Sequence, residues 1–314
     1  MRVVSLLPSA TELLCEIGGE HHLVGRSHEC DYPTTIRHLP ILTRQRTSAT
    51  TSAQIDEQVR QAMADKSVDS LYTLDTDLLQ SLKPDVILTQ DLCDVCSIDL
   101  NTVRAIANLI DSQPRIISLN PTTVEHVFKD LLRIGEAVGM VERARTVITN
   151  LERRYDAAVA NVRFNKNPPK VAFLEWMDPL FVGGHWTPQL IEAAGGRHSL
   201  NPPGCRSRQI EPAELVACAP ERLIICPCGY DLSAIKRELD VLTSQPWWRD
   251  LPAVRDHQVA LVDGSAMFNR PGPRLVDALC WLVGWLNDRP ELIRPDFPVA
   301  GLPASSTRSP ARWT

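Results

Sequence analysis

The chain has 314 residues, 44% of them hydrophobic and 23% charged, with a formal net charge of −5. That length suits two ordinary domains or one large one, and the balance is that of a soluble globular protein. Lys and Arg are scattered rather than clustered, which argues against a nucleic-acid footprint, and no apolar stretch approaches the ~20 residues that span a bilayer.

Met1-Arg2 leads straight into VVSLLP (3–8), a short apolar run suited to a buried strand. Only about five apolar or small residues precede Pro8, too few for a secretory signal core. The chain as written is therefore expected in the cytoplasm, or in the periplasm if the true start lies upstream. PSATELLCEIGG follows as a helix, with Ser9 and Glu12 spaced as a capping box and Gly18-Gly19 as its stop. HLVGRS (22–27) reads as a second strand. SAQIDEQVRQAMAD is an amphipathic helix with Ile55, Val59 and Met63 on one face. TDLLQSL predicts a helix, VILT (86–89) a strand, SIDLNTVRAIANLI a helix and RIISLN (115–120) a strand. Strands alternating with helices imply parallel β-α units, with sites at the carboxyl ends of the strands.

From Thr122 to about Arg163 the pattern is almost uninterruptedly helical, broken at Gly139. A second helix of roughly 24 residues would be about 36 Å long. The alternation then resumes: VAFLEW (171–176) as a strand, TPQLIEAAGG (187–196) as a helix, EPAELVAC as a helix and LIIC (223–226) as a strand. DLSAIKRELDVL follows as a helix, QVALVDG (258–264) as a strand and RLVDALCWLVGWL (274–286) as the last long helix. The predicted organisation is an α/β lobe over 1–138, a bridging helix over 139–166, a second α/β lobe over 167–296, and a disordered tail over 297–314 that is rich in Pro, Ser and Arg.

The residues with the most chemistry fall at predicted strand ends. GRSHECDYP (25–33) packs His28, Glu29, Cys30 and Asp31 into one connection. SLLPSAT, TQDLCDVC, LEWMDPLFVGGHW, CPCGYD and DGSAMFNRPGPR hold equivalent places. Two sheets presenting these edges to each other would line one cleft. The segments put forward Pro8, Ser9, His28, Glu29, Cys30, Asp31, Tyr32, Gln90, Asp91, Trp176, Asp178, His185, Trp186, Phe268 and Arg270 as ligand contacts.

SLLPSATE, GRSHECDYP, LKPDVILTQ, the long central helix, LEWMDPLFVGGHWTPQLIEAAGG and NRPGPRLVD together resemble the cobalamin-binding type of periplasmic substrate-binding protein. These proteins serve ABC importers of corrinoids and iron chelates. The resemblance covers about residues 1–290. It implies two Rossmann-like lobes joined by a rigid helix, with ligand in the cleft between them and an ABC permease as partner. This chain is expected to be a branch without a signal peptide.

Nine cysteines and no export signal suggest reduced thiols. Cys93-x-x-Cys96, Cys226-Pro-Cys228 and Cys30 could share zinc or an iron–sulfur cluster. They could equally be small buried apolar residues. Cys15, Cys218 and Cys280 lie on helical faces and read as core, and Cys205 is undecided. His28 can be an axial ligand to corrinoid cobalt or a hydrogen-bonded loop histidine. Gly183-Gly184 would let backbone approach a ligand beside His185, with Trp186, Trp176 and Phe268 as walls for a macrocycle. Arg270 and Arg274 can pair with the ligand's rim or with a protein carboxylate. Glu175 and Asp178 could serve acid/base chemistry, but nothing supplies a nucleophile beside them. Glu12 reads as a cap, and Trp247-Trp248 as loop packing. There is no phosphate loop, no Gly-x-Ser-x-Gly elbow and no His-Glu-x-x-His. The expected function is therefore non-catalytic binding of a corrinoid or related metal chelate. The alternative is a cytosolic metal or iron–sulfur protein, an enzyme included, built on the cleft cysteines.

Overall fold

Val3–Ser5 forms β1, fully buried as its apolar run requires, and Pro8–Glu16 follows as α1. Leu23–Arg26 is β2, Thr43–Gln45 β3, Ser52–Ala64 α2, Tyr72–Leu74 β4 and Thr76–Leu82 α3. Val86–Gln90 is β5, Leu100–Ala107 α4, Arg115–Leu119 β6, Val124–Ala137 α5 and Val141–Val159 α6. This computed structural model describes residues 1–46, 49–64, 71–91 and 100–302. The chain divides into two compact units, one of Met1–Asn161 with Arg270–Cys280, the other of Val162–Asn269 with Trp281–Thr314.

In the first unit, β2-β1-β5-β6 form a wholly parallel sheet. Every residue of β5 is buried, and each large aliphatic side chain there contributes about 1.5–3 kcal/mol. Because the strands are parallel, the segments after β1, β2, β5 and β6 emerge along one edge. The short antiparallel pair β3-β4 was missing from the sequence reading. TRQ and YTL, at three residues each, are too short to establish a period of two.

Two helix expectations need correcting. The helix after β1 is not started by a Ser9–Glu12 capping box. Leu7 is its N-cap and Pro8 opens it, the position where a fixed φ and a missing N–H cost nothing. Ser9 and Glu12 are thereby drawn inside the helix and buried. The helix after Gly139 has 19 residues, about 28 Å, shorter than its polar continuation suggested. Gly139 itself, at φ +73°, provides the left-handed turn between α5 and α6. Ala144, Leu151 and Ala158 of α6 are buried one heptad apart.

The second unit begins with β7 (Val171–Trp176), β8 (Phe181–Val182) and α7 (Trp186–Ala193). It continues through β9 (Arg208–Gln209), α8 (Pro212–Cys218), β10 (Arg222–Ile225), α9 (Leu232–Glu238) and α10 (Asp240–Thr243). Pro252–Arg255 is α11, Val259–Val262 β11, Leu275–Leu286 α12 and Val299–Gly301 β12. The sheet order is β12-β11-β10-β7-β8-β9, with β7, β10 and β11 parallel and the remaining strands antiparallel. The tail expected to be disordered is partly ordered. Phe297 stacks on Trp281 at 5.2 Å, and β12 pairs with β11. Residues 303–314 lie outside the described part.

Candidate functional site: the carboxyl-end rims

In the first unit, the shape of GRSHECDYP is set by a buried cation. The Arg26 guanidinium donates to Ser27 O at 3.2 Å, Cys30 O at 2.9 Å and Arg37 O at 2.8 Å. Three carbonyls therefore gather round one charge, and the loop folds back on itself. Cys30 lies beneath, fully buried, with Thr11 Oγ1 donating to its Sγ at 3.1 Å. Burial pushes the Cys30 thiol up to about 11. It is a protonated core thiol, which corrects its candidacy as ligand contact or metal ligand.

His28 and Glu29 remain half-buried on this rim. His28 Nδ1 lies 2.7 Å from Thr43 Oγ1, and its ring sits 5.4 Å from Tyr72. Burial, countered by Glu29 and aided by Arg26, lowers the His28 pKa, so the ring is neutral near pH 7. Tyr72 donates to Glu29 Oε1 at 3.1 Å. Thr43 and Tyr72 come from β3 and β4, which explains why no motif pointed to them. Asp91 is exposed, its N–H held by Asn120 Oδ1 at 2.7 Å, and Gln90 is buried at the end of β5. Pro8 is half-buried, whereas Ser9 is buried inside α1 and unavailable to a ligand. Cys93 and Cys96 lie outside the described residues.

Residues far apart in sequence meet around Glu12. Its side chain is 2% exposed. Arg274 clasps it with two bonds, Nε to Oε2 at 2.8 Å and Nη2 to Oε1, and Arg270 adds a contact at 3.3 Å. Arg270 also donates to Asp31 at 2.6 Å. Arg274 lies over the Tyr32 ring, 4.4 Å from its centre, a cation–π contact that leaves the ring half exposed. Burial opposes the charge on Arg270, but Asp31 and Glu12 more than offset it and raise its pKa. Arg270 and Arg274 thus both meet protein carboxylates, one of the two kinds of partner the sequence offered them.

In the second unit, Trp176 ends β7 and meets Tyr230 edge-on at 5.4 Å. Glu175 accepts from Ser207 Oγ at 2.8 Å, and Asp178 is half-buried just beyond. His185, at φ +53°, donates its N–H to Cys205 O and stacks on Trp186 at 5.4 Å. Burial, then Arg206, lowers its pKa. Gly184 lies against the 201–207 loop, where a Cβ would come within 2.5 Å of Cys205 O and Arg206 C. The close approach at Gly184 thus serves the protein's own backbone, and the one at Gly183 the side chains of Phe173 and Thr187. Trp186 is buried, its indole donating to Phe268 O. Phe268 is wholly buried, 5.1 Å from Phe173 and 6.1 Å from Trp281. Both are core residues here, not macrocycle walls, because the apolar rings find partners inside the unit. Cys226 is also fully buried, and burial raises its pKa well above the usual thiol value. Cys228 is half-buried, its N–H bonded to Glu175 O at 3.1 Å. Among the described residues no group of three or more His, Cys, Asp or Glu could hold a metal ion.

A family model described as periplasmic binding protein matches residues 3–266. The chain belongs to the periplasmic binding protein family. It is 26% identical over 291 residues to the vitamin B12-binding protein of Photorhabdus laumondii, covering 92% of this chain and 88% of the relative. The fold matches a periplasmic haem-binding protein from Pseudomonas aeruginosa with TM-score 0.72 at 19% identity, covering 98% of this chain and 99% of that one. It also matches the periplasmic vitamin B12-binding protein of Vibrio cholerae with TM-score 0.66 at 18% identity, covering 92% and 98%. The family resemblance drawn from SLLPSATE through NRPGPRLVD is therefore correct. The protein is a substrate-binding protein of the ABC-importer type, not an enzyme.

Proposed function

We propose that this protein captures a corrinoid, or another large metal chelate, and delivers it to an ABC permease. The observation that carries this reading is the likeness over nearly the whole chain to a protein named for vitamin B12 binding. The chemistry of the rims agrees with it. Each unit offers aromatic surface beside a few fixed polar groups: His28, Tyr72 and Tyr32 in the first, and Trp176, backed by the buried Tyr230, in the second. Flat apolar surface with sparse directional bonds is what a large macrocycle needs. Haem is the second reading, favoured by the fold match to a haem-binding protein.

The test is a titration of purified protein with cyanocobalamin, dicyanocobinamide and haemin, read by tryptophan fluorescence and by co-elution. Binding at about micromolar or tighter is expected for one of them, weakened separately by His28→Ala and by Trp176→Ala. Absence of binding to all three at tens of micromolar, on the order of 6 kcal/mol of affinity, would refute it.

A further inference from the structure

Thr43 Oγ1 is met by three groups: the His28 N–H at 3.0 Å, Ser27 Oγ at 2.8 Å and His28 Nδ1 at 2.7 Å. A hydroxyl has one hydrogen and two lone pairs. The His28 N–H takes one lone pair. Ser27 is 3% exposed and its Oγ accepts the Glu29 N–H at 3.3 Å. Among the described residues, Ser27 has only Thr43 to donate to. If Ser27 O–H donates to Thr43, the second lone pair is filled and the Thr43 hydrogen goes to His28 Nδ1. Every buried hydrogen is then used. The opposite polarity, with Nδ1–H donating to Thr43 and Thr43 to Ser27, strands the Ser27 hydrogen in the interior, which folded proteins avoid.

We infer that Ser27 and Thr43 form a polarised relay that holds neutral His28 in its Nε2–H form, making it a hydrogen-bond donor to the ligand rather than a ligand to the metal. The chemistry it recognises is an acceptor oxygen at the edge of the chelate, such as an amide carbonyl or a carboxylate. Thr43 is a positioning residue: it touches His28 from behind and selects which ring nitrogen carries the proton. That His28 meets the ligand rests on the proposed function. The tautomer does not.

The two claims are therefore tested separately. Long-range ¹H–¹⁵N correlation spectra of histidine-labelled full-length protein, without ligand, report the tautomer directly. Wild type and Thr43→Ser are expected to show His28 protonated on Nε2, and Thr43→Val to lose that bias. An Nδ1-protonated wild type, or a Thr43→Val spectrum identical to wild type, overturns the relay. With aquocobalamin and haemin as probes, His28→Gln, which keeps a donor, should retain affinity within roughly threefold, while His28→Ala loses about tenfold. A visible-band shift on binding that disappears in His28→Gln would mean metal coordination and would overturn the donor role. If wild type binds neither probe nor dicyanocobinamide, the functional reading fails, and the ligand-free spectra still decide the relay.

Discussion

Glu12→Gln removes one charge from a side chain that is 2% exposed and held by two guanidinium groups. The amide keeps the size of the carboxyl group but offers one acceptor oxygen where two were used, and turns an NH₂ toward Arg274 or Arg270. Breaking a buried ion pair by removing one partner costs about 3–5 kcal/mol, because the remaining charges stay buried without compensation. Asp31 still faces Arg270 at 2.6 Å, so the low end, about 3 kcal/mol, is expected. In a unit of this size that lowers the midpoint of thermal unfolding by about 6–12 °C. The assay is differential scanning calorimetry at neutral pH, with the exposed Glu142→Gln as control. Arg274→Gln combined with Glu12→Gln should cost less than the two singly, since the charges are removed together. A midpoint shift below about 2 °C, or strict additivity in the double variant, would refute the reasoning.

His198 is buried with Nδ1 3.0 Å from Val171 O, and burial holds its pKa below 6.5. The unfolded chain takes up the proton first, so stability is full above about pH 6.5 and falls as the pH drops toward the lowered folded value. Urea midpoints between pH 7.5 and 5.5 should show this, and His198→Asn should flatten the slope. Gly184→Ala places a methyl against backbone atoms of 205–207. It should cost about 1–3 kcal/mol in urea unfolding and weaken probe binding by displacing His185. Iodoacetamide followed by peptide mass spectrometry should label the exposed Cys205 in the native state, while the buried Cys30 and Cys226 react only after unfolding.

Much of the architecture was legible in the sequence because its signals are local. Continuous apolar runs at 86–88 and 171–174 belong to strands buried on both faces. Gly139 breaks a helical period that is otherwise plain on both sides. The ordered series of motifs from SLLPSATE to NRPGPRLVD carried the family. Short, polar or edge elements gave no such signal: β3, β4, β8, β9 and β12 have three residues or fewer and are stabilised by neighbours distant in the chain.

Sequence by itself determined which residue types crowd the strand ends, since the carboxyl edge of a parallel sheet is where loops can carry polar groups without breaking the ladder. It could not say which of them face outward. Tertiary structure decided that Glu12 is a buried partner for Arg270 and Arg274 rather than a cap, that Phe268 and Trp186 fill a core, and that Thr43 stands behind His28. Those outcomes depend on pairings across as many as 262 positions. Burial and charge complementarity at such separations exist only once the chain has closed on itself.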